Sequence, residues 1–268
     1  MKHFLPLCLF LGLSTLTMAQ PGTTFHSFKV KDIHGDSISL SHYAGKKLLV
    51  VNTASFCGYT HQFAKLQQLD STYQQYNFRV IGFPCNDFGG QDPYADSTIE
   101  TFCTNQYAVA FPMMSKVSIR VGDTSKVYKW LQKKSWNGVA NVSVDWNFNK
   151  FLVDAQGNWV RRYASPIEPT NPQIIAWILA GVTGGQELLW AQSGLNVSTS
   201  NQKIDLRFPE NQATGQIRVL SLDGKVILQE PVQSGTEVWS SGLVKSGFYM
   251  VEFQTEEAAY RKKVMVQF

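Results

Sequence analysis

Residues Val50–Thr60 read VVNTASFCGYT. The stretch completes the longer run KKLLVVNTAS, which is apolar and β-branched at successive positions before it ends in small polar residues. Such a run is of the buried-strand type rather than the half-exposed, alternating type. Beyond it, Phe63, Leu66, Leu69 and Tyr73 recur at helical spacing. A buried strand that turns through a lone cysteine, Cys57, into a helix predicts an α/β domain with chemistry at the corner. A thiol at the first turn of a helix faces unpaired backbone N–H groups and the positive end of the helix dipole, both of which favour thiolate. A redox corner often carries Cys-x-x-Cys, but the second position here is Thr60. The residues alone leave two readings open, a reactive thiol and a buried structural cysteine.

The pattern continues outward on both sides. SFKVKDIHGDSISL alternates about a His-Gly-Asp turn and reads as a β-hairpin. FRVIGFPC is a second buried strand, and STIETFCTNQY opens with Ser97 and Glu100 in a capping box, predicting a helix that carries Cys103. VYKWLQKK reads as a short helix, and FNKFLVDAQGNWVRRY as two strands around Gln-Gly-Asn. NPQIIAWILAGVTGG reads as a closing helix with Asn171 as N-cap and Pro172 at its first position. Strands alternating with helices imply a central sheet covered by helices on both faces. From about Leu195 the texture changes to short strands separated by turn residues, including an Asp223-Gly224 hairpin signal, which predicts a small all-β sandwich. The expected division is therefore 20–182 for the α/β domain, 183–193 for a linker and 194–268 for the sandwich.

The 268 residues are 44% hydrophobic and 13% aromatic, enough for a substantial core. A formal charge of +4, with 16% charged residues and no polybasic run, argues against nucleic acid or an anionic membrane as partner. MKHFLPLCLFLGLSTLTMAQ has a basic start, a short apolar segment and small residues near its end. It reads as a secretory signal, residues 1–19, removed after Ala19 together with Cys8. Its apolar segment is too short for a comfortable membrane span, and no later run is long and apolar enough to cross a bilayer. The mature chain then holds Cys57, Cys85 and Cys103, an odd number for an exported protein. That count fits one structural disulfide plus a buried thiol, or a disulfide visited transiently.

Three motifs in order, NTASFCGYT, GFPCNDFGGQDP and WNFNKFLVDAQGNWVRRY, resemble the glutathione peroxidase family from roughly Thr24 to Gly181. The resemblance implies a thioredoxin-like fold and a peroxide-reacting Cys57. It also implies a catalytic tetrad completed by Gln91, Trp146 and Asn147. Two amides and an indole N–H are neutral donors that can support an ionised sulfur and a departing oxygen without titrating. None of the five histidines sits in a comparable motif, so a Cys-His hydrolase has no support. The chain departs from the family at three places: Asp87 and Asp92 replace its usual Gln and Glu, and Phe56 occupies a commonly polar position. An acid at Asp87, if close to Cys57, would oppose ionisation of the thiol.

With no second cysteine at Thr60, resolution has to come from elsewhere. Cys103 matches the helix position at which thioredoxin-dependent members of the family carry their resolving cysteine, and Cys85 is the reserve. The resemblance implies a cycle of Cys57 thiolate, sulfenic acid, Cys57–Cys103 disulfide and reduction by a thioredoxin-like dithiol protein, with glutathione as the other reductant and no cofactor or metal. The tail, with VLSLDGKVILQE, LVKSGFYMVEF and YRKKVMVQF, resembles a type IX secretion sorting domain. That implies the secretion machinery as a partner and a place in the periplasm, at the cell surface or outside the cell. The expected function is an exported thiol peroxidase acting on hydrogen peroxide or organic hydroperoxides in the response to oxidative stress. A thiol–disulfide oxidoreductase or a peroxide-sensing redox module is the alternative.

Overall fold

In the computed structural model, which describes residues 23–120, 122, 124–182, 185–209, 214–222, 224–242 and 244–267, the chain begins with the expected hairpin, β1 (Lys29–Lys31) against β2 (Ser37–Ser39). The run that decides the fold forms β3 (Lys47–Thr53), followed by α1 (Gln62–Tyr73) and β4 (Phe78–Pro84). Next come α2 (Asp96–Tyr107), α3 (Lys126–Gln132) and the single turn α4 (Lys134–Asn137). Strands β5 (Lys150–Val153) and β6 (Trp159–Tyr163) and helix α5 (Pro172–Leu179) follow. The expected signal segment 1–19 with Cys8, and Asp223 of the expected turn, lie outside the described residues.

The central sheet has the order β4-β3-β5-β6, with β3 parallel to β4 and antiparallel to β5, and β5 antiparallel to β6. Alternation along β3 explains why the run is apolar throughout: Leu49 and Val51 face one core, Leu48 and Val50 the other. The first core takes Phe63, Leu66 and Leu69 of α1, Ile99 and Cys103 of α2, and Ile174 and Ile178 of α5. The second takes Val127, Trp130 and Leu131 of α3, with Phe25 and Leu40. Helices thus cover both faces in the thioredoxin-like arrangement. At Gly82 of β4 the bridging segment passes so close that a Cβ would press on the Met113 side chain, and glycine leaves that thioether its place.

Two expectations are corrected. The capping box does not form: α2 starts two residues earlier than that box implies, at Asp96, and its N-cap Ala95 offers no side-chain bond. Glu100 instead pairs with His34 at 3.5 Å, while Asp96 Oδ1 accepts the Lys116 N–H at 2.9 Å. The segment read as a linker contains a helix, α6 (Gly185–Gln192). Its Leu189 belongs to the first core and its Trp190 to a third, so burial of two adjacent apolar side chains overrides the flanking glycines.

The remainder is all strand: β7 (Asn196–Ser200), β8 (Lys203–Arg207), β9 (Gly215–Ser221), β10 (Val226–Val232), β11 (Val238–Ser240), β12 (Gly247–Gln254) and β13 (Ala259–Val266). They form sheets ordered β10-β9-β12-β13 and β11-β8-β7. The alternating residues Ile217, Val219, Val251 and Phe253 of one sheet enclose a core with Ile204, Leu206 and Trp239 of the other. Strand β7 was not anticipated, because NVSTS has one apolar residue. Among the described residues, no helix is long and apolar enough to cross a membrane.

Candidate active site

Cys57 sits in the turn between β3 and α1, one turn ahead of the helix rather than within its first turn. It is 8% exposed. Successive tight turns, Thr60 N–H to Cys57 O at 3.0 Å and Gln62 N–H to Tyr59 O at 2.9 Å, lead into α1. The N–H of Tyr59 is aimed at Cys57 Sγ at 3.4 Å and is the hydrogen bond recorded for that sulfur among the described residues. Thr60, which stands where a second cysteine would be, locks this turn. Its hydroxyl accepts the Cys57 N–H and donates to Ala54 O, both at 2.9 Å and buried.

Two distant segments are tied to this corner. Phe56 N–H donates to Gln91 O at 3.0 Å, bringing the 86–92 loop against the residue that precedes Cys57. Asn147 Nδ2 donates to Gln91 Oε1 at 3.0 Å and to Phe88 O at 3.3 Å. Trp146 is 39% exposed and lies beside Gly89, whose φ of +70° suits glycine. The structure therefore brings Cys57, Gln91, Trp146 and Asn147 to one corner. The two amides are bonded to each other rather than to the sulfur. Asn147 Oδ1 is left buried without a partner.

Several residues that anchor this corner were not anticipated. Asn52, at the end of β3, donates to Trp146 O at 3.0 Å and accepts the Asn149 N–H at 2.9 Å. Phe148 is buried at φ +62°, a left-handed conformation uncommon for a bulky residue, and its N–H bonds Asn52 O. Lys150 is fully buried, with Nζ on the carbonyls of Phe148 (2.8 Å) and Ser165 (3.1 Å), and burial pushes its ammonium down to about 7. The signal for Asn52 and Lys150 was available in sequence, as polar residues inside otherwise apolar strands.

The other two thiols are separated by the sheet. Cys103, on α2, shares the first core with Cys57, whereas Cys85, just after β4, lies in the second. Burial pushes both thiols up to about 12, with the charge of Asp92 adding to the rise at each and that of Asp87 at Cys85. Cys103 also lines a cavity of about 290 Å³ with His34, Glu100 and Met113. Cys57, Cys85 and Cys103 are all free thiols. Asp87 is engaged with the 118–120 segment: its Oδ2 accepts the N–H groups of Ile119 (2.6 Å) and Arg120 (2.8 Å) and the Ser118 hydroxyl (3.0 Å). Among the described residues, no group of three or more His, Cys, Asp or Glu side chains is placed to hold a metal.

Comparison with known proteins shows the family of the chain. Residues 25–132 match the family model described as glutathione peroxidase, and residues 194–267 match that of the secretion system C-terminal sorting domain. The chain is 38% identical over 149 residues to glutathione peroxidase-like peroxiredoxin 2 of Saccharomyces cerevisiae, covering 56% of this chain and 92% of that protein. It is 39% identical over 146 residues to the glutathione peroxidase homolog BsaA of Bacillus subtilis, with 54% and 91% covered. With hydroperoxy fatty acid reductase gpx1 of Synechocystis sp. it shares 40% identity over 157 residues, with 56% and 92% covered. Nearly the whole length of each relative is thus matched at substantial identity, and the chain belongs to the glutathione peroxidase family, as a thiol-dependent peroxidase.

Proposed function

We propose that the protein is an exported peroxidase that reduces hydrogen peroxide or organic hydroperoxides at Cys57 and resolves the product with Cys103. The observation that carries this reading is the bonded path from Phe56 through Gln91 to Asn147, which gathers three donors from distant segments beside one cysteine. The Cys57 thiolate attacks the terminal peroxide oxygen and the O–O bond breaks. Sulfur keeps one oxygen as sulfenic acid, and the other departs as water or alcohol after taking a proton from solvent. Gln91, Asn147 and Trp146 supply donors for the departing oxygen at fixed positions.

Placement in a common core supports Cys103 over Cys85 as the resolving thiol, because the sheet separates Cys85 from Cys57. A disulfide spans only short Cα separations, so α2 has to loosen for the bond to form. A dithiol protein of the thioredoxin type then reduces it, with glutathione as the competing donor. Peroxide turnover is lost in both Cys57→Ser and Cys103→Ser, while Cys103→Ser alone still consumes one equivalent. Peptide mapping after one equivalent of peroxide shows a Cys57–Cys103 link. A dominant Cys57–Cys85 link overturns the reading.

The match of residues 194–267 to a sorting domain supports export to the cell surface or the medium. Cell fractionation with and without residues 194–268 tests this, and unchanged export after the deletion overturns it.

A further inference from the structure

Asp92 is fully buried where several segments meet, and the chemistry above does not use it. Its Oδ1 accepts the N–H of Ser55, two residues ahead of Cys57, at 3.1 Å. Its own N–H donates to Asn86 Oδ1 at 2.8 Å, and its carbonyl accepts Lys116 Nζ at 3.3 Å. Oδ2 is buried with no hydrogen bond, as is the hydroxyl of Ser55. An ionised carboxylate has about four lone-pair sites, and a dry pocket that bonds one of its oxygens leaves most of its charge uncompensated.

Burial accordingly pushes the carboxyl up to about 6. The Ser55 N–H, the nearness of the Ser55 hydroxyl (close, but outside good bonding geometry) and the Lys116 ammonium all pull it down. Asp96, at the start of α2, pushes it further up. The charge of Asp92 in turn opposes ionisation of Cys103 from the first core and of Cys85 from the second.

We propose that Asp92 is a positioning residue of the resolving step: once ionised, its carboxyl is poorly held at this junction, the Cys57 loop and α2 as far as Cys103 loosen, and Cys103 is released toward the Cys57 sulfenic acid. The inference rests on the Cys57–Cys103 cycle proposed above. In the opened state the Cys103 thiol gives its proton to solvent and the thiolate attacks the sulfenic sulfur. The S–S bond forms as the S–O bond breaks, and the departing hydroxide is protonated to water. No further oxidant or reductant enters.

The sign follows from the carboxyl. Its packed value of about 6 lies above the ordinary 3.8, so the packed junction binds the proton more tightly than the opened one. The packed state is then most stable below about pH 4 and loses stability as the pH rises through about 6. Opening gains about tenfold per pH unit across that window, on the order of 100-fold in all. Ionisation of the released thiol adds about another tenfold per unit up to its ordinary range.

Rapid quench with peptide mapping, from about pH 4.5 to 7.5, follows the Cys57–Cys103 disulfide in the wild type and in Asp92→Asn. Peroxide loss, measured alongside, reports that each protein is folded and that its Cys57 reacts. In the wild type the rate climbs about a hundredfold per pH unit below about pH 6 and about tenfold per unit above it, whereas Asp92→Asn climbs about tenfold per unit throughout. The same break in both proteins overturns this inference alone. Absence of the link in the wild type overturns the cycle, and the inference with it. If Asp92→Asn does not fold, Lys116→Gln serves instead. Loss of that ammonium moves the break to higher pH, and an unmoved break overturns the proposal.

Discussion

Thr60 sits where a thioredoxin-type motif would place a thiol, and its hydroxyl makes two buried hydrogen bonds, from the Cys57 N–H and to Ala54 O. Thr60→Val keeps the branched shape but strands one buried donor and one buried acceptor. Each stranded group costs about 1–3 kcal/mol. The added methyl group recovers about 1 kcal/mol by apolar burial. The net expectation is a loss of about 1–5 kcal/mol, whereas Thr60→Ser, which keeps the hydroxyl, loses about 1 kcal/mol or less. Urea unfolding measures this as a lower midpoint at unchanged slope. The same change frees the turn that holds Sγ under the Tyr59 N–H. The rate of Cys57 oxidation by peroxide, read by competition, therefore falls about tenfold or more in the Val variant and little in the Ser variant. A Val variant within about 0.5 kcal/mol of wild type, or a Ser variant as damaged as Val, refutes the assignment of Thr60 as the lock of this turn.

Two further perturbations probe the other anchors of the corner. Asn52→Ala strands the Asn149 N–H and removes a donor from Trp146 O, and is expected to cost about 2–4 kcal/mol and to slow peroxide reduction; thermal unfolding and turnover of the same sample check both effects. Lys150 is held down to about 7 against an ordinary 10.5, so the unfolded chain binds the extra proton between those values. Native stability should then rise with pH from about 7 toward 10, by on the order of 3–5 kcal/mol. Denaturant titrations across that range should show the rise in wild type and not in Lys150→Met, and an equal rise in both would exclude Lys150 as its source.

What sequence revealed and what it concealed divide along a physical line. β3 and α1 were legible because burial on both faces or on one stripe imposes a period, and that period is written directly in Leu48–Val51 and in Phe63, Leu66, Leu69 and Tyr73. The candidate tetrad was legible because its residue types are rare in combination and stand in three spaced motifs. The start of α2 was misjudged because Ser97 and Glu100 fit a local capping rule, while Asp96 reaches the distant Lys116 N–H and begins the helix two residues early. Helix α6 was hidden for a related reason: Leu189 and Trp190 are buried by different cores, which no local period records. Thr60 was noticed only for the thiol it lacks. Its two bonds depend on the path of the turn, which spacing does not show.

The two thiols of the proposed cycle share a core, yet that core also restrains them. Burial raises Cys103 from 9.0 to about 12, which removes about a thousandfold of its thiolate at any given pH. An attack launched from the packed helix therefore carries a handicap on the order of 4 kcal/mol. Opening α2 enough to wet the thiol is the faster route whenever it costs less than that. The helix is lightly anchored: Ala95 provides no side-chain cap, an omission worth about 1 kcal/mol, and the buried side chains of the whole helix are Ile99 and Cys103. Cys85 gains nothing comparable, since freeing it exposes the second core beneath β4 and still leaves the sheet between it and Cys57. In the proposed cycle the choice of resolving thiol follows from where the chain is weakest, not from which sulfur is most reactive at rest, because burial pushes both resting thiols up to about 12.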